Sequence, residues 1–241
     1  MRYLVAAVVV GALGVRIARS RHRRFMHPDG RSFDGELTVA GGRRTGAALI
    51  DRPGRHPVTV RLSKGVGTAA GRPDVLGLAV RVHGPVPGDH RDLLFSTTGR
   101  GRWTRHVPVP RRGFDTGYGS IAPYRTGTRR KLYLSARPAP DGRPLGPTLE
   151  AVVAAAAGGG ARLELAADGQ PFGMVTLGTP LPARIAAALA VDPVRDTTPD
   201  LHPTGLLHAS RALAYPLSQR WRGADPVGPD PAAVTRTAAH R

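Results

Sequence analysis

Residues 57–64 read P-V-T-V-R-L-S-K, with Val58, Val60 and Leu62 alternating with Thr59, Arg61 and Ser63. A period of two places the aliphatic side chains on one face of a strand and the polar ones on the other. Residues 33–40, 77–83 and 92–97 carry the same signature, each rich in Val, Leu or Thr and bounded by Gly, Pro or Asp. These runs lie close together, with no helical stretch between them, and predict an antiparallel meander or barrel.

Outward from this core the pattern changes. Residues 26–32 and the Gly/Arg/Pro/Tyr-rich stretch 99–130 read as loops, and residues 131–136 as another strand. Residues 148–157 form an alanine-rich helix stopped by Gly158, Gly159 and Gly160. Strand patterning resumes at 161–166 and 173–177, followed by helices at 183–191 and 204–222, the latter with Thr204 able to cap its start. The fold class expected is α+β. Residues 25–222 form the domain, 1–24 an N-terminal apolar and basic segment, and 223–241 a Pro/Ala/Gly-rich tail.

Composition narrows the functions on offer. Hydrophobic residues make up 41% of the 241, enough for a core and against global disorder. The net charge of +18 comes almost wholly from arginine, because lysine occurs only at Lys64 and Lys131. Alanine, glycine and proline are inflated as well, so the skew reads as coding bias as much as affinity for anions. With no cysteine, disulfides, thiolate metal sites, cysteine nucleophiles and iron–sulfur clusters are excluded. The glycine-rich GVGTAAG at 65–71 is followed by Arg72-Pro73 rather than a helix, which argues against a phosphate loop.

Residues 3–15 form an apolar run followed by arginines. It is shorter than the roughly 20 residues a spanning helix needs. Two readings stay open: membrane association through residues 3–17, or a helix packed on the domain. Insertion would leave the domain facing the cytoplasm, whereas a signal peptide over 1–20 would make the protein secreted; otherwise it is cytoplasmic.

Two constellations carry chemistry. In the late helix Arg211, Tyr215, Ser218 and Arg222 share one stripe, and Arg211 lies one turn before the Tyr215 phenol. A guanidinium there favours the phenolate. On these residues alone, an ordinary amphipathic helix with arginines on its polar face is the favoured reading. The second group is Arg24 and His27 ahead of Gly30 and Gly35, with Arg61 and Ser63 on one face of the following strand. That face either lines a polar pocket or meets solvent, and the residues alone favour solvent.

Together the two groups resemble the haem catalases. RFMHPDG at 24–30 is similar to the catalase distal loop, and VRLSKG at 60–65 to the next strand. RPDVLGLAVRV at 72–82, DLLFSTTG at 92–99 and FGMVTL at 172–177 resemble later strands. LAVDP at 189–193 and RALAYPLSQRWR at 211–222 resemble the proximal segment, with its R-x3-Y-P-x5-R pattern. The resemblance covers roughly half the chain. It implies a catalase-like antiparallel β-barrel with flanking helices, and haem b held between the barrel and a C-terminal proximal helix.

The resemblance further implies Tyr215 as the axial iron ligand with Arg211 on its phenolate. It makes His27 the distal acid and base, Ser63 its orienter, and Arg24, Arg61 and Arg222 the propionate partners. Peroxide, and an organic electron donor, would be the substrates. Two departures bear on activity. Thr97 stands where catalases place an asparagine, and residues 99–160 offer no counterpart of the long wall that normally follows. Both favour a peroxidase over a fast catalase. The alternatives are a haem-binding or sensing protein without turnover, and a basic protein of nucleic acid or membrane surfaces. Aromatic residues at 5%, with no helix–turn–helix or zinc pattern, argue against specific nucleic-acid binding.

Overall fold

The computed structural model describes residues 27, 29–86, 88–189, 191 and 196–204. The expected meander is there, longer than the alternation marked it: β1 (Asp29–Val39), β2 (Gly54–Lys64), β3 (Leu76–His83) and β4 (His90–Ser96). Each pairs antiparallel with the next, with Val60 opposite Phe33 on one side and Val80 on the other. The first strand begins at Asp29, inside the stretch expected to be a loop. Its polar Asp29-Gly30-Arg31-Ser32 start carries no hydrophobic signal, but pairs residue by residue with Lys64 back to Arg61. Tertiary pairing overrides local propensity there.

Beyond β4 the chain is mostly irregular, as expected for 99–130, with the two-residue β5 (Tyr118–Gly119) and the short β6 (Tyr124–Thr126) embedded in it. The strand expected at 131–136 is two strands, β7 (Lys131–Leu132) and β8 (Leu134–Pro138), divided at Tyr133. Then come β9 (Arg162–Ala167) and β10 (Gln170–Pro180), joined through Asp168 and Gly169 alone. Both turn residues have positive φ, 48° and 77°, the geometry a two-residue hairpin with right-handed strand twist requires. A further strand, β11 (Leu201–Pro203), pairs with β6, which also pairs with β7 in a separate three-stranded sheet.

The other eight strands close into a barrel in the order β1-β10-β9-β8-β5-β4-β3-β2. Closure comes from β10 returning against β1, with Leu37 opposite Val175 and Phe33 opposite Pro180. The register shifts between Phe33 and Gly35, and a Cβ at Gly35 would run into the Thr176 carbonyl. That glycine lets the closing strands approach.

An eight-stranded barrel has an interior just wide enough for side chains to fill. Phe33, Leu37, Val60, Leu62, Val80 and Leu163 fill it, all fully buried. Outside, the alanine-rich helix runs Leu149–Ala157 as expected, with the Thr148 hydroxyl accepting the Ala151 N–H at 3.1 Å. The helix expected at 183–191 is confined to Ala183–Ala188. A four-residue helix, Ala48–Asp51, was not marked by the sequence. Among the described residues no helix is long and apolar enough to cross a membrane. The segment 3–17, residues 205–222 of the helix expected at 204–222, and the tail lie outside the described residues; Thr204 itself is described, its N–H donating to the Pro123 carbonyl at 2.8 Å.

Candidate functional site

With the barrel interior filled by hydrophobic residues, the alternate residues of β1–β4 point outward. Register places Ser32, Arg61 and Ala79 in one row, Gly30, Ser63, Gly77 and Ser96 in the next, and Asp34, Thr59, Arg81 and Asp92 in a third. This outer face is not solvated. Arg61 is 8% exposed, Ser63 4% and Asp92 1%. The sequence favoured a solvent-facing side for Thr59, Arg61 and Ser63; burial corrects this, because charged and hydroxyl groups stay out of water only where they are bonded or enclosed.

His27 stands at the head of the second row. Its Nδ1 lies 3.0 Å from Ser63 Oγ, and Ser63 Oγ is also 3.3 Å from the Gly77 carbonyl. A carbonyl can only accept, so a Ser63 proton directed at Gly77 O leaves the hydroxyl oxygen to accept Nδ1–H. That tautomer puts the imidazole lone pair on Nε2, the nitrogen turned away from the serine.

Gly77 is a condition of this arrangement. A Cβ there would sit 2.6 Å from His27 Nδ1 and 2.9 Å from Ser63 Oγ, so the imidazole lies across bare backbone. The His27 backbone has φ of 59°, a left-handed conformation uncommon for a residue with a side chain. Its N–H is anchored on the Gly65 carbonyl at 3.2 Å. Strain of this kind persists where the surroundings hold it, and it collects at functional sites.

Arg61 is two residues before Ser63 on the same face. Its Nη2 donates to the His27 carbonyl at 3.3 Å and its Nη1 to Ser32 Oγ at 3.5 Å, both at the long end for such bonds. Gly30 makes room for the guanidinium, since a Cβ there would meet Arg61 Cζ at 2.7 Å. The spaced glycines noted in the sequence therefore have separate duties, Gly30 toward Arg61 and Gly35 toward barrel closure.

Thr97 lies one residue past β4 and is fully buried. Its hydroxyl oxygen accepts the Leu76 N–H at 3.0 Å, and its own N–H donates to the Leu76 carbonyl at 2.9 Å. The residue that shares a row with Gly77 and Ser63 is its neighbour Ser96. Arg24, Arg211, Tyr215 and Arg222 lie outside the described residues, so His27, Ser63 and Arg61 are the expected site residues seen together. Among the described residues no group of three or more His, Cys, Asp or Glu side chains could hold a metal ion.

Sequence reasoning missed the third row. Arg81 makes a two-pronged bond to Asp92, Nε to Oδ1 at 2.8 Å and Nη2 to Oδ2 at 2.7 Å, and reaches Asp196 Oδ2 at 2.8 Å. Next to it the Thr59 hydroxyl meets His83 Nε2 at 2.9 Å. The period-two pattern puts Arg81 outward, but its partners are 11 and 115 residues away.

Elsewhere, loop carboxylates are tuned by local bonds. Asp74 is pushed up by burial, but N–H donors from Thr68 and Val66, the Thr68 hydroxyl and Lys64 outweigh this and hold it below its ordinary value. It closes the β2–β3 loop, in which GVGTAAG runs on to β3 without a helix.

No protein-family model and no curated protein matches this sequence. The geometry around His27 therefore carries the functional argument.

Proposed function

We propose that this chain is a haem-dependent peroxide-reacting protein of the catalase type, acting as a peroxidase on organic peroxides or with a reducing donor. The observation that carries the reading is the His27 Nδ1–Ser63 Oγ pair, 3.0 Å apart over Gly77. It joins the two stretches, RFMHPDG at 24–30 and VRLSKG at 60–65, whose resemblance implied a distal acid and base with its orienting hydroxyl.

The residues present fit one side of a haem. Their donor set is an imidazole with its acceptor nitrogen turned away from the serine, beside a guanidinium 8% exposed. A planar guanidinium suits a carboxylate such as a haem propionate. On this reading Arg61, with Arg24 and Arg222, would hold the propionates, Tyr215 the iron, and Arg211 the Tyr215 phenolate. Bound haem would supply the redox-active iron.

The chain's own part is proton handling. Nε2 of His27 takes a proton from the peroxide and returns it to the departing oxygen, a shuttle of the general acid–base kind. Ser63 holds the ring in one tautomer and one orientation throughout. The Thr97 hydroxyl oxygen already accepts the Leu76 N–H, which restricts the direction in which its own proton can point toward a small peroxide. The preference for larger substrates rests on the short stretch 99–160 in place of a long wall.

The test is an absorption spectrum of the protein expressed with haem supplied, with turnover measured on an organic peroxide and a reducing donor. The wild type should show a Soret band and Tyr215→Phe should lose or shift it. His27→Ala should keep the band and lose about 10²- to 10⁴-fold in turnover. No Soret band in the wild type, or an unchanged spectrum in Tyr215→Phe, overturns the reading. A Soret band without turnover marks a binding or sensing protein instead, and oxygen evolution at catalase-like rates removes the preference for a peroxidase.

A further inference from the structure

The segment 99–112 reads GRGRWTRHVPVPRR, with five arginines and no acidic residue. Trp103 is 78% exposed and Val107 54%, two of the four large hydrophobic side chains exposed among the described residues. An exposed tryptophan framed by arginines needs an explanation, because burial of that ring is worth more than of almost any other side chain.

The tip is built, not loose. Gly99 N–H donates to the Thr104 carbonyl at 3.2 Å, Arg105 N–H to the Gly101 carbonyl at 2.9 Å, and Gly101 N–H to Thr104 Oγ1 at 2.9 Å. At its base Arg105 stacks on Tyr133, 4.6 Å from the ring centroid, and His106 Nδ1 bonds the Ile121 carbonyl at 2.8 Å. These contacts turn Arg105 and His106 inward. Arg100, Arg102, Trp103, Val107 and Arg112 are left exposed, with Arg102 over the Trp103 ring.

The tip also has an address. Asp74 and Arg111 exchange backbone bonds at 3.0 and 2.8 Å, tying this segment to the β2–β3 loop that carries exposed Val66. The same loop holds His27 through Gly65. The cationic, apolar rim therefore lies at the end of the barrel where His27 sits.

We infer that the 99–112 tip docks on an anionic lipid surface, with Trp103 and Val107 entering the headgroup region and Arg100, Arg102 and Arg112 on the lipid phosphates and carboxylates. Tryptophan favours that interface because its ring is apolar and its N–H is wet. Exposed valines beside a single aromatic suit an apolar boundary better than nucleic-acid bases, which stack on repeated aromatic platforms. The surface stands apart from the haem reading and is tested without haem.

Full-length protein is sedimented with phosphatidylcholine vesicles, with and without phosphatidylserine. Arg100→Gln/Arg102→Gln/Arg112→Gln should weaken partition into the anionic vesicles, by ~5-fold per arginine and ~100-fold together at low salt. Raising the salt toward 1 M should shrink this difference, as the screening length falls from about 10 Å to about 3 Å. Trp103→Ala/Val107→Ser should also lose binding. In a Trp221→Phe background, Trp103 emission should shift to the blue when anionic vesicles are added, a readout that needs no change to the tip. Partition unchanged in both tip variants, or no emission shift, overturns the inference and leaves any vesicle binding to another part of the chain. A triple variant that loses only single-stranded DNA binding overturns it in favour of nucleic acid.

Discussion

Replacing Gly77 with alanine tests the site with one methyl group. The added Cβ would lie 2.6 Å from His27 Nδ1 and 2.9 Å from Ser63 Oγ, whereas ordinary contact begins at 3.4 Å. The ring's Cε1 is closer still than Nδ1, so the imidazole must withdraw by about an ångström, and it cannot do so by sliding the backbone, whose N–H is held on Gly65. Its bond to Ser63 breaks or lengthens, a loss of about 1 kcal/mol. Gly77 is an ordinary strand residue without positive φ, so alanine carries no backbone strain and regains ~0.4–1 kcal/mol through the unfolded chain. Stability should shift by less than about 1 kcal/mol, while a catalytic base displaced by about an ångström loses ~100-fold in rate. Urea unfolding and peroxide turnover of the haem-loaded protein measure the two together. A folded Gly77→Ala protein that turns over like wild type would falsify the role given to His27; equal collapse of stability and activity would reduce it to a packing contact.

Two further outcomes follow from the same face and its loops. Asp92→Leu leaves the Arg81 guanidinium, 7% exposed, short of its two-pronged partner, and should destabilise the fold by about 3–5 kcal/mol in urea unfolding. A loss below about 1 kcal/mol would mean that Asp196 alone satisfies Arg81. The melting temperature should fall in acid through two groups. His56 is held below its ordinary 6.5 by burial and by Arg91, so its contribution is complete above pH 6.5 and drains as pH falls through its folded value. Asp51, Asp74 and Asp200 are raised by burial but lowered further by hydrogen bonds, so theirs is complete above about pH 4 and is lost below it. Asp74→Asn should flatten the lower part of that curve, and a melting temperature level from pH 7 to 3 would refute the assignment.

Much of the barrel was legible because its first half is local. Four runs of alternating Val and Leu announce β1–β4, and neighbouring strands in a meander pair with each other. The same alternation put Arg61 and Ser63 on one face. It could not say that the face is enclosed, since burial depends on what packs outside the strand. The two-residue β5 and the start of β1 were illegible for a related reason. Neither holds enough alternation to register, and each exists through partners in other strands. That Ser96 shares a row with Gly77 is a matter of one residue of register, which patterning at a strand end does not resolve.

By itself, then, the sequence determined strand periodicity, the capped alanine helix, the exclusion of thiol chemistry, and the polar set His27, Arg61 and Ser63 as one group. Those follow from side-chain chemistry and spacing along a short stretch of chain. Only the tertiary structure decided that β10 closes on β1, that the polar face is buried, that Arg81 meets Asp92 and Asp196, and that Gly77 leaves His27 its place. Each of these joins residues 11 to about 150 positions apart, and no local propensity encodes a contact whose free energy appears only once the sheet has closed.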